Sequence, residues 1–359
     1  VTTATSTPPV ELARSLADDL LRPLAEQVDR TVVPRSHLDA WARAGLLGLS
    51  GPTAYGGGGA PARVVREVAE ILAGACGATW FVATQHETPL ATLAASGNHA
   101  LQDRLLEDLC TGTVLAGVAI AQLRRPGPPA VTATRVEGGW RFDGHVGWMT
   151  SWGICDVVLL GGVSPAGEVV YVLVPARDGG GLTASPPLQL AAMQATVTVT
   201  LDLDGLSVAD ADVVDVVDVM SWLTADAAKT ANARPHTFGL QRECVRRLAE
   251  TAVRRDDGTA AALAQQLAQE GNRLRAVAYA LVDELPAEEG IEQRLAVRAA
   301  SLELVVRTAT ALVAATGGSA MALSAAPQRL AREAVFHLVQ AQTAAVREAT
   351  LQLLRDTGA

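Results

Sequence analysis

GWMTSWGICD, Gly147–Asp156, sets two tryptophans, a threonine, a serine and two glycines within ten residues of a chain that is only 4% aromatic. It closes one Val/Thr-rich run and leads into another, so it reads as a strand end followed by a turn. Aromatic and hydroxyl groups gathered there are either core packing of a β domain or the wall of a binding site. The flanking sequence bears on that choice.

On both sides the texture is β. The runs TVLAGVAIAQL, AVTATRVEGGWRFDGHVGWMT, CDVVLLGGV, EVVYVLVPA and ATVTVTLDLDGLSV are short, in part alternating with period two, and punctuated by EGGW, FDGH and SPAGE. They predict a compact antiparallel β domain over 112–221, with His145 in a turn. Upstream, residues 1–111 carry apolar residues three and four apart, as in VELARSLADDLLRPLAEQVD and HALQDRLLEDLC, which predicts a helical domain. Its glycine run, in SGPTAYGGGGAPA, is a loop between helices and weak as a phosphate cradle, because no Lys-Ser/Thr follows it. Downstream, 222–359 is helical again, and IEQRLAVRAASLELVVRTATALVAATGG predicts a helix buried on most sides. The fold class expected is α+β, in the order helical domain, β domain, helical bundle.

A chain of 359 residues with 49% apolar and 19% charged residues is long enough for two or three cores. Its net charge of -9 and pI near 5.2 argue against nucleic acid or an anionic membrane as partner. Cys76, Cys110, Cys155 and Cys244 lack CxxC or metal-ligand spacing, so no metal is expected. The opening VTTATSTPPVE has no basic start and apolar core, and no uncharged apolar run reaches the roughly 18 residues of a membrane span. The cytoplasm is the expected location.

At the level of motifs the chain resembles the acyl-CoA dehydrogenase superfamily over nearly its whole length. GPTAYGGGGA, Gly51–Ala60, matches the family's P-x-x-Y-G-G-x-G loop; GWMTSW matches its W-[IV]-[TS] strand end at Trp148, Met149 and Thr150; and ATGGSAM matches its Gly-Gly turn at Gly317 and Gly318. The resemblance implies FAD as cofactor and an acyl thioester as substrate. It implies Trp148 over the isoalloxazine, Thr150 near N5 and Ser151 toward the ribityl and phosphate portion, an arrangement that supplies an apolar wall and donors for charge building on the ring. Ala119, Ala121 and Gln122 fall on the family's first flavin-contacting strand, where T-E-P-x-x-G-S-D is usual and the Thr-Glu pair is here Ala121-Gln122. Arg255, with Gln265 or Gln266, stands for part of the family's Arg-x-x-Phe-Gly and downstream Gln, groups that reach the FAD of a neighbouring subunit, and Gly317 and Gly318 of the Gly-Gly turn are further cofactor-binding candidates; a dimer or tetramer, of one chain or of two, is implied.

The family's catalytic carboxylate is missing at both of its usual places. Nine residues after Arg332 stands Ala341, within Gln340-Ala341-Gln342-Thr343 where Tyr-Glu-Gly-Thr is usual. About ten residues before Gly239 stand Lys229 and Thr230. A base is needed to remove the proton alpha to the thioester, and the remaining candidates are weak: Asp226, Glu243 and His86. His86, in ATWFVATQH, also resembles the helix of flavin-dependent monooxygenases on this fold, where a histidine near the ring is used with oxygen. Three functions stay open: an acyl thioester flavoenzyme with its usual Glu replaced, as one chain of a mixed oligomer or with an unconventional base; a flavin-dependent monooxygenase; and a non-catalytic scaffold subunit without FAD.

Overall fold

The computed structural model describes residues 7–357. Residues 1–6, part of the opening stretch considered as a leader, lie outside the described residues, as do 358–359. The first layer is helical: α1 Pro9–Leu16 runs through a π-helical turn at Ala17–Leu21 into α2 Arg22–Asp29, then α3 Arg35–Arg43, α4 Ala62–Ala75, α5 Gly77–Ala94 and α6 His99–Thr111. The glycine run between α3 and α4 folds back on its own stem. A Cβ at Gly57 would lie 2.3 Å from the carbonyl carbon of Gly51, and one at Gly58 2.7 Å from the Leu49 oxygen. Its glycines thus serve a tight loop.

The middle layer is an eight-stranded sheet. Its strands are β1 Ala116–Ala119, β2 Val131–Val136, β3 Gly139–Met149, β4 Val157–Val163, β5 Glu168–Pro175, β6 Leu182–Ala184, β7 Val199–Ala209 and β8 Val213–Asp218. The order is β6-β7-β3-β2-β4-β5-β8, with β1 beside β4. Most pairings are antiparallel as the hairpin signals require, but β1–β4 and the single contact of β2 with β4 are parallel, made by chain returning across the sheet rather than through a tight turn. His145 lies inside β3 rather than in a turn: the FDGH punctuation is a bulge, where Gly144 has φ +133° and a Cβ would meet the Ala130 oxygen at 2.1 Å. A second register irregularity in the β3–β7 pairing falls between Val146 and Met149, at the Trp148 motif.

The last layer is α7 Val219–Ala231, α8 Pro235–Arg255, α9 Gly258–Glu284, α10 Ile291–Thr316, α11 Ala326–His337 and α12 Ala344–Thr357. Helix α10 is long and apolar enough to cross a membrane on mean hydropathy, 1.3 over its best window, although it carries Glu303 and Arg307, which pair with each other at 2.9 Å. It lies against α8, α9, α11 and α12 as the centre of the bundle.

Helix α4 joins the first layer to the last by backbone contact with α8. An ideal Cβ on Gly239 would stand 2.1 Å from the Glu70 carbonyl oxygen, and one on Gly74 2.7 Å from the Gly239 oxygen. Beside this crossing the buried Glu70 carboxylate accepts hydrogen bonds from Arg242, Arg275 and Tyr279 of α8 and α9. Replacing Gly239 by Ala forces the helices apart and is expected to cost about 1–3 kcal/mol in unfolding free energy, the usual range for overpacking. Gly258→Ala, where a Cβ meets nothing within 4 Å, serves as the control with little change. Equal denaturation midpoints for the two variants would contradict the crossing.

Candidate active site

Where the three layers meet, a cleft of about 1270 Å³ opens, beyond the roughly 300–1,000 Å³ that one small ligand occupies. One wall comes from α5, through Trp80, Phe81, Thr84, Gln85, Glu87 and Thr88. Facing elements supply Ala121 and Gln122 from the turn after β1, Trp148 and Thr150 from the end of β3, Leu190–Met193 from a loop, Asn232–His236 at the α7–α8 break, and Gln340–Ala344 after α11.

Strand alternation sorts the opening motif. Trp148 and Thr150 face the cleft, while Met149 and Ser151 are buried in the interior. Trp148 is 51% exposed, an uncovered indole in a cleft. The Thr150 hydroxyl is 3.1 Å from that of Thr198. Ser151 has φ +73° and donates its hydroxyl to the Thr150 carbonyl, so its side chain does not share the cleft with its neighbours. Met193, Val197 and Ala341 also have positive φ. Of the five such non-glycine residues among the described residues, Met193 and Ala341 line the cleft, and Val197 and Ser151 adjoin its Thr198 and Thr150, a clustering that strained backbone tends to show at functional sites.

The first flavin-contacting segment is only partly at the cleft. Ala121 and Gln122 line it, but Ala119 is fully buried in β1 and absent from its walls. Gln122 donates to the carbonyls of Ala119 and Gly161 and keeps a buried Oε1 without a partner. Arg255, Gly317 and Gly318 come together elsewhere, at the far end of the bundle, where the Arg255 guanidinium donates to the Thr316 carbonyl at 2.6 Å.

Neither weak acid candidate lines the cleft. Asp226 is held by a two-pronged ion pair with Arg124, both contacts 2.7 Å. Glu243 is buried among Arg246, Arg247 and Arg22. Burial raises its carboxyl pKa, but the Arg246 hydrogen bonds and Arg247 charge outweigh this and leave it below the ordinary value. His86 is also turned inward: its Nε2 faces the Leu109 carbonyl at 2.8 Å and its Nδ1 accepts from the Ala116 N–H at 3.0 Å. That arrangement requires the neutral ring, and burial lowers its pKa to about 4.

What single-residue counting overlooked is the charge of the cleft. Among the described residues its walls hold Arg66, Arg124, Arg125, Lys229, Arg234, Arg332 and Arg347 against one carboxylate, Glu87. Glu87 is open to the cleft, yet desolvation by the surrounding walls raises its pKa, against the charges of Lys229 and Arg234. The helical face Trp80, Thr84, Glu87, Thr88 was available as a signal, since those residues recur at i, i+4, i+7 and i+8. His236 stacks on Trp80, centroids 4.2 Å apart, and meets His337 edge-on at 4.8 Å; desolvation keeps both rings neutral.

Residues 9–113 match the family model described as acyl-CoA dehydrogenase, N-terminal domain. Benzylmalonyl-CoA dehydrogenase of Aromatoleum aromaticum is 24% identical over 199 residues, a stretch covering 54% of this chain and 53% of that protein. The chain thus spans about half the length of the curated relative it matches. Among solved structures, a glutaryl-CoA dehydrogenase from Mycobacterium smegmatis in complex with FADH2 superposes with a TM-score of 0.82 at 17% identity, over 98% of this chain and 95% of that one. A dibenzothiophene monooxygenase from a Paenibacillus species superposes at 0.79 and 19% identity, over 97% of each chain. The fold is that of the acyl-CoA dehydrogenases, and the sequence match to that family lies in its N-terminal domain, over residues 9–113.

The inward histidine has a measurable consequence. A ring whose pKa is about 4 in the folded chain and near 6.5 in the unfolded one stabilises the fold fully above pH 6.5, and that contribution disappears as pH falls toward 4. It is worth roughly 3 kcal/mol for His86 alone. Unfolding free energy is therefore expected to decline from pH 6.5 downward, and His86→Gln to make that decline shallower by about one proton. An unchanged slope in denaturant titrations would contradict the assignment.

Proposed function

We propose that the chain is an FAD-dependent oxidoreductase acting on an acyl thioester, with the family's usual proton acceptor replaced. The observation that carries this is the convergence of distant motif positions on one cleft: Ala121 and Gln122, Trp148 and Thr150, Lys229, and Ala341 all line it. The residues present suit a flavin. Trp148 offers an uncovered aromatic face, Gln122 has a buried oxygen without a partner, and Arg125 lies beside Gly147, its guanidinium 2.8 Å from where a Cβ would stand.

In this reading Trp148, Thr150, Gln122 and the backbone at Ala121 hold FAD, and Ser151, its N–H bonded to the Thr196 carbonyl and its own carbonyl to the Ile154 and Cys155 N–H groups, fixes the turn beneath them. When bound, FAD supplies a hydride acceptor. The chain's own part is to orient the thioester and exclude water, with Trp80, Phe81 and Phe336 as apolar wall. Ala341 takes no proton, and Lys229, its pKa lowered by burial, is an amine where the family has a carboxylate. Removal of an alpha proton from either family position is accordingly slow in this chain alone; Glu87, the carboxylate that lines the cleft, lies on α5 and at neither of them.

Another chain supplying the acceptor in a mixed assembly is compatible with the surface around Arg255 and Gly317. There Val253, Met321 and Leu323 are exposed at 83%, 59% and 63%, apolar area suited to association, homo- or heteromeric. The monooxygenase alternative loses its motivating residue, because His86 is bonded to backbone away from the cleft. The scaffold alternative predicts no flavin binding and is separated by the same titration that tests the proposal. FAD is expected to bind the purified chain, and Trp148→Ala to weaken it by about tenfold through loss of an aromatic contact. A wild-type protein that takes up no FAD overturns the cofactor assignment.

A further inference from the structure

The part of the cleft near the α7–α8 break holds positive charge that the chain itself does not balance. Arg124, Lys229, Arg234 and Arg298 form one electrostatic group with two carboxylates, Asp226 and Glu87. Asp226 is taken by Arg124. Arg298 is turned away from the cleft, donating to the carbonyls of Thr230, Gln340 and Ala341. Lys229 and Arg234 remain, both lining the cleft, and among the described residues neither has a carboxylate within 4.0 Å. Arg234 in addition keeps a buried Nε without an acceptor. Glu87 biases the ionisation of both and lines the same cleft, but is ion-paired to neither. With both carboxylates ionised the group is two positive charges in excess; Lys229 is open to the cleft and Arg234 partly so, and the unpartnered Arg234 Nε is the part of that charge held from water, which an anion in the cleft would offset.

We infer that Lys229 and Arg234 form a subsite for a carboxylate carried on the acyl group of the thioester substrate. The inference rests on the proposed function and names the substrate class within it. A carboxylate offers two acceptor oxygens, enough for the Arg234 fork and the Lys229 ammonium at once. The apolar wall of Trp80, Phe81 and Phe336 takes the uncharged part of the same molecule. The phosphates of the thioester carrier are the other source of an anion in this cleft, and Arg125 and Arg347, which also lack carboxylate partners there, are available to them.

Calorimetric titration of the full chain, loaded with FAD, distinguishes these sources. The probes are glutaryl-CoA, which has a terminal carboxylate, pentanoyl-CoA, which has the same chain length without it, and free CoA. Hydrogen bonds to a charged group contribute about 1.5–3 kcal/mol, so glutaryl-CoA is expected to bind at least about tenfold tighter than pentanoyl-CoA. Lys229→Met and Arg234→Met should each bring the two within about threefold, and Lys229→Arg should keep the preference. Circular dichroism on each variant verifies that it is folded; should Arg234→Met unfold, the Lys229 pair decides. Equal binding of the two thioesters by the wild-type chain overturns the inference, as does a loss in the variants that is the same for free CoA, which assigns the cations to the phosphates. In either case FAD and thioester binding persist and the proposed function stands. If FAD or both thioesters fail to bind, the proposed function falls, and the subsite with it.

Discussion

The close crossing of α4 and α8 is the constraint on which the rest of the structure depends. Gly74 and Gly239 let two backbones touch, and Glu70, buried at that point, gathers Arg242, Arg275 and Tyr279. Buried charge of this kind is weak as net stabilisation but strict about geometry, because a displaced partner leaves Glu70 uncompensated. The crossing fixes where α8 begins relative to α5, and so places His236 against Trp80 and the Lys229–Arg234 segment opposite Glu87. The cleft is what remains between elements positioned in this way.

A second set of ties closes the other side. Arg332 of α11 pairs with the buried Asp29 of α2 and donates to the Ala191 carbonyl at 3.2 Å, joining the bundle to the first layer and to the loop before β7. Arg329 pairs with Glu333 at 2.7 Å, both buried, against Gly77, where a Cβ would stand 2.7 Å from the Glu333 carboxyl carbon. Arg298 then holds the carbonyls at Gln340 and Ala341. The segment carrying Ala341, with its φ of +49°, is thus fixed at both ends. That held backbone presents the Ala341 methyl group to the cleft.

Much of the layer order was legible because the hydrophobic period changes from helical to alternating and back, and period is the strongest local signal a sequence carries. The inward or outward facing of Trp148, Met149, Thr150 and Ser151 follows from strand alternation. The counts from Arg332 and Gly239 led to Ala341 and Lys229, which line the cleft, because both anchors are fixed by packing. Less visible were the residues whose role depends on what surrounds them. Glu87 stands beside the conspicuous His86 but on the cleft side of α5. Asp226 and Glu243 look free in the sequence and are bound by arginines 102 residues away or one helical turn along. Ion pairing across long sequence separation leaves no local pattern, and neither does an excess of cations assembled from five segments.

The central claim is that this cleft is an acyl thioester site whose proton-acceptor position, Ala341, has been emptied. The most direct measurement is deuterium incorporation at the alpha carbon of butanoyl-CoA in heavy water, followed by mass spectrometry on the FAD-loaded chain and its Ala341→Glu variant. Ala341 already occupies the left-handed region, so the glutamate adds no new backbone demand of the kind a glycine replacement would. A positioned general base contributes about 10²- to 10⁴-fold; the account predicts wild-type exchange near the uncatalysed rate and an increase of at least about 10²-fold in the variant. Wild-type exchange or desaturation at about 1–10 per second, an ordinary enzyme turnover, or no gain from the glutamate in a flavin-loaded, folded variant, would contradict it.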